Sequence, residues 1–181
     1  MGITYRDFPV TEWTLYFRNT GTANTPILEK IQALDLVLNG STTAEFHLHH
    51  HFGSPADGND YGPRETLRGP GATHRLGGAG GRPTNADWSY FNLEGGGRGL
   101  ITAVGWPGQW AATFTRDSGR SLQLVAGQEL THFTLWPGEE VRSPLIVLLF
   151  YRGDWIRSQN LWRRWMMTHS MPRAGSSNNG G

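Results

Sequence analysis

A series of short segments, each alternating apolar with polar residues and each bounded by glycine, proline or asparagine, constrains this chain more than any other feature. In EWTLYFRN, Trp13, Leu15 and Phe17 alternate with Thr14, Tyr16 and Arg18, the pattern of a strand with one covered face. A second strand is expected over Lys30 to Leu38. It is followed by Asn39-Gly40, a strong short hairpin signal, and by AEFHLHHH, where Phe46 and Leu48 alternate with His47, His49 and His51. WSYFNLE, GLITAVGW, QWAATFTR, SLQLVAG, LTHFTLW and PLIVLLFY continue the series. Short strands separated by turn residues in this way build sandwiches and barrels, so the body of the chain is expected to be all-β.

Two segments depart from that pattern. From Gly53 to Ala86 the chain is rich in Gly, Pro, Asp and Asn and poor in apolar residues, which predicts a long excursion rather than a strand. Near the other end, DWIRSQNLWRRWMMTH reads as a C-terminal helix capped by Asp154, with Trp155, Trp162, Trp165, Met166 and His169 roughly on one side. One sandwich domain is expected over residues 1–173. Residues 174–181 have nothing to bury and are expected to form a flexible tail or linker.

Composition removes several function classes. With 16 Lys and Arg against 15 Asp and Glu, a net charge of +1 offers no basic stripe for a phosphate backbone, so nucleic acid is not expected as a partner. Cysteine is absent, which rules out a disulfide, a thiolate metal site and a thiol nucleophile. PLIVLLFY is far shorter than the roughly 20 apolar residues that span a bilayer, and no membrane segment is expected. The opening MGITYRDF lacks a basic region leading into an apolar stretch, so no secretory signal is expected either. No nucleophile elbow, HExxH helix or P-loop occurs, and Glu139-Glu140 on a turn lie too close together to flank a glycosidic bond. No catalytic residue and no cofactor are expected.

Alternation places His47, His49 and His51 on one strand face. Same-face neighbours lie about 7 Å apart, so three along one strand do not readily converge on one ion, and the expected reading is a strand face without metal. Sugar recognition needs a different inventory: aromatic faces for the C–H patch of a pyranose, with donors and acceptors around the rim. Eight tryptophans in 181 residues exceed the needs of a small core, so some should face outward. Trp110 shares its parity with Ala112 and Phe114 and is assigned to the core. Trp106 beside Pro107-Gly108, Trp88 in TNADW and Tyr61 in the excursion are the candidate stacking surfaces. Asp60, Asn85 and Gln109 are the candidates for fixing hydroxyls.

The segments DFPVTEWTLYFRNTGTANTPILEKIQALDL, YFNLEGGGRGLITAVGWPGQWAATFTRD and THFTLWPGEEVRSPLIVLLFYRGDWIRSQNLWRRWMMTHSMPR together resemble the N-terminal β-supersandwich domain of glycoside hydrolase family 36 α-galactosidases, over about Thr4 to Arg173. In that family the sandwich precedes a (β/α)8 barrel, and a helix resembling DWIRSQNLWRRW joins the two. The family's nucleophile and acid are barrel aspartates, so the resemblance implies no catalytic residue here. It implies packing against a barrel, oligomer contacts and, in some members, a loop lent to the active-site mouth. The segment Asp60, Tyr61, Gly62, Pro63 occupies the place of that loop, although its surroundings are unusually glycine-rich.

Two functions therefore compete. One is a non-catalytic carbohydrate-binding module that holds an oligo- or polysaccharide through Asp60, Tyr61, Asn85, Trp88, Trp106 and Gln109. The other is a structural or oligomerisation domain, whose exposed Trp155, Trp162 and Trp165 dock on a catalytic barrel or on a second subunit.

Overall fold

The computed structural model describes residues 1–40 and 45–171, the side chains of residues 67 and 68 aside. In chain order the strands are β1 (Gly2–Thr4), β2 (Val10–Trp13), β3 (Tyr16–Arg18), β4 (Leu28–Glu29), β5 (Leu34–Asn39), β6 (Phe46–His51), β7 (Pro63–Arg68), β8 (Thr73–Gly77), β9 (Tyr90–Gly95), β10 (Arg98–Gly105), β11 (Trp110–Arg116), β12 (Ser121–Gln128), β13 (His132–Phe133), β14 (Glu140–Arg142) and β15 (Leu145–Arg152). Helix α1 (Trp155–Trp165) follows and runs into a π-helical turn, Met166–Ser170. A seven-stranded sheet of order β1-β2-β15-β10-β9-β6-β7 lies against a four-stranded sheet of order β5-β12-β11-β8. Every pairing in both is antiparallel. The expected sandwich with one C-terminal α-helix is the fold observed.

Alternation decides which residues the two sheets enclose. Leu48 on β6, Phe91 and Leu93 on β9, Leu100 on β10 and Ile146 on β15 meet Trp110, Phe114, Leu122 and Leu124 of the smaller sheet in the main core. Trp110 is fully buried, as its parity predicted, and its indole N–H donates to the Pro83 carbonyl at 2.6 Å. The opposite face of the large sheet is apolar as well. Ile101, Val147, Leu149 and Tyr151 form a second core there with Phe8, Val10 and Trp165, and α1 is the lid that covers it. Burial of each such side chain contributes about 1.5–3 kcal/mol, which is why β15 is continuously apolar rather than alternating.

A buried polar chain fastens that lid. The Tyr151 hydroxyl donates to Asn92 Oδ1 at 2.7 Å, and Asn92 Nδ2 donates to Ser158 Oγ at 2.8 Å. The Ser158 hydroxyl donates in turn to the Trp155 carbonyl. Burial pushes the Tyr151 phenol up to about 12. Gly99 makes the arrangement possible, because a Cβ there would stand 2.2 Å from the Tyr151 hydroxyl oxygen.

Several expected elements come out differently. EWTLYFRN is divided between β2 and β3, since the Leu15 N–H leaves the ladder to donate to Ser143 Oγ. The strand expected over Lys30 to Leu38 begins only at Leu34, and Lys30 itself sits at φ 55, in the left-handed region. Asn39-Gly40 does not close a hairpin. β5 pairs with β12 whereas β6 pairs with β7 and β9, so the two strands belong to different sheets, and the Gly40 N–H donates to the Arg120 carbonyl. LTHFTLW contributes only the short β13. The excursion holds β7 and β8, which were not expected. Both are edge strands, where one backbone side is free of the ladder, so proline and charged residues are tolerated and the apolar signal is weak. The tail expected from residue 174 lies outside the described residues.

The helix is where expected, capped by Asp154, whose carboxylate accepts the Arg157 N–H at 2.7 Å. Its tryptophans are not the shared exposed surface that was anticipated. Trp165 is 2% exposed in the second core and Trp162 packs partly buried beside it, leaving Trp155 as the exposed one of the three. The same sheet face that needs covering is supplied by the chain itself.

Candidate functional site

After β6 the chain continues into the excursion, and its two limbs are stitched together at once. The Gly53 N–H donates to the Ala86 carbonyl at 2.8 Å, Ser54 N–H to Thr84 at 2.6 Å, and Trp88 N–H to His51 at 3.1 Å. Only glycine fits between the limbs, because a Cβ on Gly53 would lie 2.2 Å from the Thr84 carbonyl oxygen. The Asp57–Asp60 turn is held by side chains: Asp60 Oδ1 accepts the Asp57 N–H at 3.1 Å and Asp60 Oδ2 accepts the Ser54 hydroxyl at 2.6 Å. These bonds, the Ser54 hydroxyl first, hold the Asp60 carboxyl below the ordinary carboxylate value. Tyr61 follows at φ 58, a left-handed conformation that turns its ring out of the loop, and its N–H donates back to Gly53.

The result is an aromatic pair on a pinned loop. The rings of Tyr61 and Trp88 lie 5.2 Å apart and tilted by 56°, yet remain 49% and 39% exposed. His51 meets the Trp88 ring edge-on at 5.6 Å, and Tyr90 meets it from the next outward position of β9 at 6.2 Å. Burial lowers the His51 pKa, which keeps its imidazole neutral beside the indole at neutral pH. Tyr90 continues to Trp162 at 5.1 Å, so the pair is the exposed end of an aromatic chain rooted in the second core.

The six residues expected to contact a ligand do not converge. Asp60, Tyr61 and Trp88 share the excursion, and Asn85 is half-buried within it, its amide near the Gly80 turn. Trp88 has the outward parity of Tyr90. Trp106 instead continues the core-facing parity of Val104, packs on the main core and carries the Arg142 guanidinium 5.4 Å above its ring. It borders a separate cavity of about 440 Å3 with Phe17, Ile31 and Phe133. The Gln109 amide already has partners, its oxygen accepting from the Gly81 N–H at 2.9 Å and its nitrogen donating to Glu129. It fastens a turn. Ser54 and His51, which fix Asp60 and flank Trp88, were not anticipated; cross-strand neighbours leave no local trace in sequence.

His47, His49 and His51 do share the outer face, and each has its own partners. His47 Nδ1 lies 2.7 Å from Glu65, His49 Nε2 lies 3.2 Å from Glu94, and the His49 ring stacks on Trp155 at 4.8 Å. Among the described residues no group of three or more His, Asp or Glu side chains is arranged to hold a metal ion.

No family model matches the chain, and no curated protein matches it. Solved structures do. The α-galactosidase from Lactobacillus brevis superposes with a TM-score of 0.71 over 87% of this chain and 21% of its own, at 12% identity. This is the fold of a part of an α-galactosidase. The galactosidase domain of the α-galactosidase-sucrose kinase AgaSK gives a TM-score of 0.66 over 81% of this chain and 20% of its own, at 20% identity. The GH36 α-galactosidase AgaA of Geobacillus stearothermophilus, in complex with raffinose, gives 0.66 over 83% and 21%, at 15% identity. The chain thus spans about a fifth of the length of the α-galactosidases it matches, and the remainder of each has no counterpart in these 181 residues. Identities this low establish the shared sandwich, as the sequence resemblance implied, and nothing about activity.

Proposed function

We propose that this chain is a non-catalytic accessory sandwich that holds carbohydrate through the Tyr61–Trp88 pair on the excursion. The observation that carries the reading is the exposure of two rings in mutual contact on a loop that hydrogen bonds have already immobilised. A pyranose C–H face stacks on Trp88 and is flanked by Tyr61, while Asp60 and Asn85 supply polar groups at the rim. Because the loop is ordered beforehand, little conformational entropy is lost on binding. Two rings at about 1 kcal/mol each beyond their buried area give micromolar to millimolar affinity. Likeness to α-galactosidases supports a galactose-containing ligand. The test is affinity electrophoresis against galactose-, xylose- and glucose-containing polysaccharides. Retardation by a galactose-containing polymer should weaken at least ~5-fold in Trp88→Ala, a loss of about 1 kcal/mol, and persist in Trp106→Ala. Absence of retardation by every polymer sinks the reading.

A structural role has its own support. Trp155, Ile156 and Met167 are exposed on the helical segment, and this surface suits docking on a catalytic domain or a second subunit. Self-association of the isolated chain that Ile156→Glu abolishes would favour it over glycan binding.

A further inference from the structure

Where β10 begins and β15 finishes there is a cleft of about 670 Å3, lined by residues of both sheets and of α1. Its floor is apolar: Leu38 of the small sheet, and Phe46, Leu93, Leu100 and Phe150 of the large one. Phe150 has the core-facing parity of Leu148, yet it is 44% exposed. A ring that the fold leaves uncovered on its inner face borders a volume in the range of small-molecule pockets.

The walls carry one sign of charge. Arg98, Arg152 and Arg157 line the cleft, and among the described residues no acidic side chain does. Arg98 and Arg152 are direct cross-strand partners, an opposition of like charges that costs stability unless something neutralises it. None of the three makes an ion pair with a described residue: Arg98 donates to the Asn39 carbonyl at 3.1 Å, and Asp154 Oδ1 accepts the backbone N–H of Arg157. Guanidinium forks are suited to a planar carboxylate or a phosphate. An apolar floor under a cationic rim has the complementarity of one ligand class.

We propose that this cleft binds a small anionic amphiphile, its hydrocarbon tail on Phe46, Leu100 and Phe150 and its anionic head between Arg152 and Arg157. The site is separate from the Tyr61–Trp88 loop and independent of the carbohydrate reading. Isothermal titration calorimetry of the 181-residue chain with decanoate tests it, beside acetate as the head alone and a neutral decyl oligoethylene glycol ether as the tail alone. Decanoate should bind roughly tenfold or more tightly than either control, and added salt should weaken it. The double variant Arg152→Gln, Arg157→Gln should lose that advantage and bind decanoate no better than the ether. Its thermal midpoint at low salt should equal or exceed that of the parent, because a repulsion has been removed, which shows that the fold is intact. No heat with decanoate, equal affinity for acetate or for the ether, or decanoate binding that the double variant retains each overturns the proposal.

Discussion

His51 illustrates how much one position can carry. It is the last residue of β6, it meets the edge of Trp88, and its Nδ1 has no hydrogen-bond partner among the described residues. Burial disfavours its charged form, so its folded pKa lies below the ordinary imidazole value of 6.5. Below 6.5 the unfolded chain therefore takes up a proton that the folded chain resists, and stability falls as pH falls through that window. Above it the ring is neutral in both states and adds no pH dependence. His51→Gln should flatten this part of the profile, which urea midpoints measured at successive pH values would reveal; an unchanged slope would place the titration elsewhere. At this scale the sequence was informative about parity and silent about partners. Alternation identified Trp110 as core and aligned His47, His49 and His51, but the pairing of His49 with Glu94 and Trp155 depends on register between strands far apart in the chain.

Among the elements, α1 shows what local rules can and cannot determine. Its start was legible because Asp154 precedes the helical pattern and accepts the Arg157 N–H, a cap whose loss costs about 1 kcal/mol. Asp154→Ala should lower stability by that amount in urea unfolding, Asp154→Asn by clearly less, and Trp165→Ala by about 3–5 kcal/mol, since it empties a buried indole site. A Trp165 variant that unfolds at the parental midpoint would contradict its place in the second core. What the helix covers was not legible. A tryptophan on an amphipathic helix looks the same whether it meets its own sheet or another protein, and only the outward apolar face of β10 and β15 decided it. The edge strands β7 and β8 were missed for the complementary reason, since a half-free edge places little demand on hydrophobicity. Asn39-Gly40 carries a turn preference, yet Asn39 stays paired with Ser121 at the end of β5, because a dipeptide preference yields to strand register.

For the whole molecule, two cores share one sheet, so removing the lid should not yield a tidy smaller domain. A chain ending at Gly153 exposes Ile101, Val147 and Leu149 at once, and light scattering should report aggregation rather than a monodisperse species. A soluble monomer would mean that the second core is dispensable. The sandwich class was readable throughout because alternation reports local conformation, whereas strand order was not, because it is set by contacts between distant segments.

β15 lies between β2 and β10, with Val147 opposite Glu12 on one side and Ala103 on the other. The first and last strands of the large sheet's apolar centre are thus separated by most of the polypeptide, and during synthesis the ribosome releases Val10 long before Ile101 and Leu149, which shelter it, exist. Closure of that interval is entropically slow, so nascent chains should depend on chaperones and on growth temperature for yield far more than the finished protein depends on them for survival.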